Sequence, residues 1–113
     1  MDVVVVIDTF RRHLASCGYA AATCESYAKN LESFKRYLMA RDVTDLRKVT
    51  HEVILAYQQE VAQEPIAPES KALKLRPVKR LFEHLTETNR LLVNPAEGIV
   101  EVSRKGRKVG TVL

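Results

Sequence analysis

The sequence predicts an all-α protein, a bundle of four helices followed by a short C-terminal turn of helix. Three observations carry that expectation. Apolar residues recur at spacings of three and four through four separate segments. Gly and Pro number only four each in 113 residues, too few for the turns of an all-β fold. Apolar residues make up 46% and charged residues 28%, the balance of a chain that folds around a core as one domain.

The first helix is predicted over residues 3–17. Val3, Ile7, Phe10, Leu14 and Cys17 share one face, with Val6 beside them. The run "VVVVI" on its own favours a strand, so propensity and periodicity disagree here. Gly18 suits the position just past a helix end. The second helix is predicted over 21–40, with Cys24, Tyr27, Leu31, Phe34 and Leu38 as its apolar stripe. Glu25 with Lys29, and Glu32 with Arg36, stand four apart on the opposite face, acid first, which is the favourable order. Residues 41–50 form a polar connection anchored by Leu46. Thr50 reads as an N-cap with Glu52 in the first turn. A third helix follows, with Ile54, Tyr57 and Val61 turned inward.

Residues 64–68 read as a loop, and Pro68 fits the first turn of the fourth helix, where its missing N–H costs nothing. Leu75, Val78, Leu81, Phe82 and Leu85 form that helix's apolar side. Pro77 falls inside it. An interior proline removes a hydrogen bond and clashes with the preceding turn, at about 3 kcal/mol. The sequence therefore predicts either a kink at Pro77 or a helix that effectively starts later. Asn94-Pro95 closes the segment and opens a last short turn through Ile99.

The longest apolar run has five residues, where a membrane span needs roughly 20. Asp2 precedes it, which is not the charge pattern of a secretory leader. The default compartment is cytoplasmic, and two cysteines there make no disulfide framework. No paired carboxylates, Gly-rich phosphate loop or Ser-His-Asp set is suggested, so neither a catalytic residue nor a cofactor is expected. His13, Cys17 and Cys24 resemble a metal set, but a fourth ligand is missing and structural sites space their ligands more tightly. Both cysteines fall on apolar stripes and are expected as core residues, with no metal. His51 and His84 are expected at the surface without a partner.

The net charge of +4 permits an anionic partner without demanding one. Its sharpest concentration is "KALKLRPVKR" at 71–80, five cations and no acid. At 100° per residue Arg76, Lys79 and Arg80 lie opposite the apolar stripe, and Lys71 and Lys74 lie nearer to it. Such a face suits phosphate neutralisation and guanine recognition. A merely solvated face is the other reading of the same charges. In the second helix the glutamates match the cations, which points to solubility and helix support. The terminal "VEVSRKGRKVGTVL" holds Arg104, Lys105, Arg107 and Lys108 with no sustained period. Alone it reads as a tail, a nucleic-acid arm or a linker.

Three stretches together resemble the core-binding domain of tyrosine recombinases, the phage-integrase and Xer group. "GYAAATCESYAKNLESFKRYL" is similar to the family's second helix, through Thr23, Tyr27, Leu31, Phe34 and Leu38. "DLRKVTHEVILAYQQEV" matches in Leu46, Thr50, Ile54 and Tyr57. "KLRPVKRLFEHLTETNRLLVNPAEGI" resembles the fourth helix and the Asn-Pro-Ala turn behind it. The resemblance covers roughly residues 8–100 and rests on the order and spacing of pieces that are weakly specific one by one.

The resemblance implies a SAM-like bundle that clamps one face of a recombination half-site while a separate catalytic domain holds the other. Residues 1–100 would be the DNA-binding domain and 101–113 a basic interdomain linker. The second and fourth helices would cross the major groove of double-stranded DNA. The implied contacts are Thr23, Ser26 and Lys29, then Lys71, Lys74, Arg76, Lys79 and Arg80, with Arg104, Lys105, Arg107 and Lys108 following the backbone. Two departures stand out: Pro77 replaces a small helix-former, and Glu25 sits among the proposed contacts. The family's nucleophilic tyrosine and its arginine–lysine–histidine set belong to the catalytic domain, so Tyr19, Tyr27, Tyr37 and Tyr57 are not expected to react. The chain would bind DNA and cut nothing, within a parent of the simpler two-domain layout. Val4 and Val5, off the main stripe, would face another recombinase protomer. The rival is a stand-alone helical protein-interaction module.

Overall fold

A computed structural model describes residues 1–98 of the chain. Four α-helices follow one another: α1 Val3–Ser16, α2 Ala21–Ala40, α3 His51–Ala62 and α4 Pro68–Glu87. A single 3-10 turn, Leu46–Lys48, interrupts the connection from α2 to α3. The helices close on one core in which Phe10, Phe34 and Phe82 are fully buried. Helix α2 lies at the centre, packed on both α1 and α4, while α3 packs on α4.

The valine-rich start is helical because burial and capping outweigh strand propensity. The Asp2 carboxylate accepts from the amides of Val4 and Val5 at 2.9 and 3.1 Å. Val3, Val6 and Ile7 turn fully inward. The segment is tied across the fold: the Val3 amide donates to the Thr44 carbonyl at 3.0 Å, and the Leu46 amide to the Met1 carbonyl at 2.9 Å. Helix α1 stops one residue early, at Ser16. Cys17 is its C-cap and is exposed, so it is not a core residue. Gly18 then turns the chain at φ +84°, where a side chain would be strained. Cys24 is half-buried against the core edge. Among the described residues no group of three or more His, Cys, Asp or Glu could hold a metal ion.

Tyr37 is a core residue outside the apolar stripe read for α2. Its ring lies 4.8 Å from that of Tyr57, and the Arg41 guanidinium stands over the ring at 3.7 Å. Arg41 also pairs with Glu60 at 2.8 Å, linking the end of α2 to α3. Thr50 caps α3 by accepting from the Val53 amide.

Helix α4 does not start late: it runs unbroken from Pro68 through Pro77 to Glu87. Pro77 has no N–H for the Leu73 carbonyl four residues back. The Asn30 side-chain amide of α2 donates to that carbonyl instead, at 3.0 Å. An intrahelical bond has been exchanged for one between helices, and Pro77 itself is buried in the core. After α4 the chain closes in a turn at 95–98. The Asn94 side chain accepts from the Ala96 amide at 2.8 Å, and the Asn94 carbonyl from the Glu97 amide at 3.1 Å. Ile99 lies outside the described residues.

The histidines are not bystanders. His51 Nδ1–H donates to the Pro95 carbonyl at 3.0 Å, holding the closing turn against the start of α3. His84 is half-buried, with its ring 4.1 Å from that of His13 and 5.4 Å from Phe10. Cys17 Sγ lies 3.4 Å from His13 Nε2. Burial first, and then the neighbouring His13, hold the His84 pKa below its ordinary value, against an opposing pull from Glu87; Arg80 and Arg90 lower it further.

A histidine depressed in the folded state adds stability above its unfolded pKa, about 6.5, and loses it as the pH falls below that value. Thermal unfolding followed from pH 7.5 to 5 should therefore show a falling melting temperature. His84→Gln should flatten that fall. An equal fall in the variant would assign the effect to other groups.

Candidate nucleic-acid interface

Among the described residues, those singled out for DNA contact do not form one patch. Arg76 apart, they divide among three environments. The first lies between the N-terminal halves of α2 and α4. Ser26, Lys29 and Asn30 from α2 and Ser70, Leu73 and Lys74 from α4 line an open cavity of about 360 Å³, with Glu64 and Ile66 of the α3–α4 loop. Thr23 is exposed one turn earlier on α2. Here the spacing did its work: residues three and four apart on one helix share a face, and the crossing of α2 and α4 brings two such faces together.

Within this cavity Lys74 is not a free cation. Its Nζ stands 2.9 and 3.0 Å from the two carboxylate oxygens of Glu64, with a fifth of the lysine side chain exposed. Lys71 Nζ donates to the Ala62 carbonyl at the end of α3, at 2.7 Å. Both cations thus reach back to the loop between α3 and α4. The absence of acids within residues 71–80 misled the reading of this face, because the acid comes from Glu64, outside the segment. No ion pair joins Glu25 to Lys29 among the described residues; the glutamate that does pair within α2 is Glu32, with Lys35 at 2.9 Å and Arg36 at 3.7 Å. Lys29 is exposed.

The second environment belongs to Lys79. It lines a separate cavity with Glu83, Glu87, Asn94, Ala96, Glu97 and Gly98, so three carboxylates share its surroundings. The third belongs to Arg80, whose guanidinium pairs with Glu83. That hydrogen bond raises the arginine pKa further, and Tyr19 adds to it. Arg76 is exposed on the solvent side of α4, as its wheel position predicts. Arg104, Lys105, Arg107 and Lys108 lie outside the described residues.

The two helices of this interface also start differently from the other two. Asp2 caps α1 and Thr50 caps α3, each with a side-chain acceptor. Helices α2 and α4 start from Ala20 and Ala67, neither of which offers one. First-turn amides without a side-chain cap can donate to water or to an anion. On α1, Val4 and Val5 are exposed, as expected from their place off the apolar stripe. A second apolar feature was not legible in the sequence. Leu92 and Val93 stand in solvent beside a groove of about 480 Å³ floored by Leu46 and Val49. No helix among the described residues is long and apolar enough to cross a membrane.

Comparison with known proteins bears on this arrangement. Residues 7–89 match the family model of the phage integrase N-terminal SAM-like domain. A tyrosine recombinase XerC of Roseiflexus sp. (strain RS-1) is 30% identical over 94 residues, covering 82% of this chain and 30% of that protein. A tyrosine recombinase XerC of Myxococcus xanthus is 30% identical over 93 residues, covering 81% of this chain and 31% of its own length. The chain thus spans about 30% of the length of these curated relatives. Among solved structures, the N-terminal domain of a phage integrase/site-specific recombinase from Haloarcula marismortui superposes with a TM-score of 0.75. The sequences are 19% identical, and the match covers 80% of this chain and 86% of that one. That likeness is one of fold.

Proposed function

The chain belongs to the phage integrase N-terminal SAM-like domain family, and from that premise we propose that it is the DNA-binding part of a tyrosine recombinase. In this reading it clamps one face of a recombination half-site. One observation carries the assignment to DNA: Ser26 and Lys29 of α2 meet Ser70 and Lys74 of α4 around a single opening. Lysines there neutralise phosphates, and serine hydroxyls and uncapped first-turn amides donate to phosphate oxygens. Thr23 and Lys71 extend the contact along each helix. Lys79 and Arg80, drawn toward carboxylates, contribute less.

The chemistry of strand transfer lies outside this segment. Tyr27, Tyr37 and Tyr57 are buried in the core, and burial pushes the Tyr57 phenol up, away from a nucleophilic phenolate. Tyr19 packs edge-on against Tyr27. A tyrosine that attacks a phosphodiester must be exposed beside the DNA, so this chain binds and does not cut. The basic residues 101–113 lead, in this reading, toward the domain that does.

The exposed Leu92 and Val93 favour a second reading, a helical module that docks another protein. A gel shift with random 20-base-pair duplex separates the two. We expect a shift at low salt that weakens steeply with added salt, with a slope of log K against log salt between about −2 and −4. Affinity that does not change with salt would remove the phosphate-contact reading, and no shift at any salt would leave the docking module.

A further inference from the structure

We propose that Glu64 occupies the place of a DNA phosphate in the free protein and must give up Lys74 when the backbone arrives. The inference rests on the DNA reading above and adds to it a residue that sets affinity. Both oxygens of the Glu64 carboxylate face Lys74 Nζ, at 2.9 and 3.0 Å. A carboxylate held this way presents two oxygens to a cation as a phosphodiester does. Glu64 also lines the same cavity as Ser26, Lys29, Ser70 and Lys74, the residues proposed to receive the phosphate.

The carboxylate comes from the loop between α3 and α4, not from either of the two helices that form the face. It can therefore swing away without disturbing them. A little over a third of its side chain is exposed, so water can take over its hydration once Lys74 leaves. Lys71 is stored in a parallel way, on the Ala62 carbonyl of the same corner, but that acceptor carries no net charge. Of these two lysine contacts, that of Lys74 is an exchange of one anion for another.

The exchange has a thermodynamic signature. A lysine that meets a phosphate from solution releases about 0.9 of a condensed cation from the DNA. The same release accompanies the Lys74 contact, because a lone carboxylate, unlike the DNA, is not charged densely enough to condense a cation when it is freed. What the Glu64–Lys74 pair subtracts is affinity, since it must break before the phosphate contact forms. Glu64→Gln should bind random 20-base-pair duplex about 3- to 10-fold more tightly at low salt, with the slope of log K against log salt nearly unchanged.

Three comparisons make the test decisive. Glu69→Gln removes the same charge from the first turn of α4 and should raise affinity less than about twofold. In a Lys74→Ala background, Glu64→Gln should no longer gain affinity. Melting temperatures, measured alongside, separate binding from folding. Equal or weaker binding by Glu64→Gln would overturn the inference, because Glu64 would then hold Lys74 in place for the phosphate. A matching gain in Glu69→Gln would overturn it too, reducing the effect to net charge. Failure of wild type and every variant to shift DNA at low salt would remove the DNA reading itself, and this inference with it.

Discussion

Phe34→Ala should cost about 3–5 kcal/mol of unfolding free energy, a large share of the roughly 5–15 kcal/mol that holds a domain together. Phe34 is fully buried on α2. Its ring meets Tyr57 of α3 at 5.1 Å and Phe82 of α4 at 6.2 Å, both edge-on. One side chain thus joins three helices. The cavity left by alanine cannot easily collapse. Tyr57 is held by its hydroxyl, which donates to Ser33 Oγ at 3.3 Å, and by its contact with Tyr37. Phe34→Leu keeps most of the volume and should cost about 1 kcal/mol. Urea unfolding followed by circular dichroism reads both. A loss of less than about 1 kcal/mol in the alanine variant would show that the three helices do not depend on this ring.

The second large effect is on binding. Lys29→Ala combined with Lys71→Ala should weaken binding to random duplex by about 10- to 100-fold at low salt, and should make the salt slope shallower by about 1.8. Both lysines sit on the proposed face, and neither is neutralised by a carboxylate that it must abandon. Lys79→Ala, by contrast, should change affinity less than about threefold, because Glu83, Glu87 and Glu97 share the cavity of that lysine and offset its charge. Unfolding curves of these variants should stay close to wild type, since surface substitutions of this kind rarely exceed about 0.5 kcal/mol. If Lys79→Ala were the more damaging change, the interface would have to be moved toward the closing turn at 95–98.

Much of the fold was legible in the sequence. The stripes Val3-Ile7-Phe10-Leu14 and Leu31-Phe34-Leu38 are buried as periodicity predicts, because apolar area determines which face turns inward. Cys17 failed that rule for a local reason: its place on the stripe falls one residue past the helix, where the chain has already turned outward. Tyr37 escaped notice because its burial depends on a partner from α3 and a covering arginine, neither adjacent in sequence. The candidate site was less legible still. Helical phase placed Lys29 on the outward side of α2 and Lys74 nearer the apolar stripe of α4, but charge is a property of the assembled surface. Glu64 lies ten residues before Lys74, and Glu83, on the next turn of α4, claims Arg80. No segment-by-segment count of cations could reveal which were already engaged.

The bond from Asn30 to the Leu73 carbonyl has a consequence for cooperativity. An ordinary helix supplies its own carbonyl partners, so its early turns can form before they dock. The stretch of α4 around Leu73 completes its bonding only when α2 is beside it. Helix formation and helix docking have become a single event there. The same bond sets the rotation of α4 about its axis, which fixes where Ser70, Lys71 and Lys74 stand relative to Ser26 and Lys29. A proline that would weaken a solitary helix here makes the two helices behave as one rigid jaw.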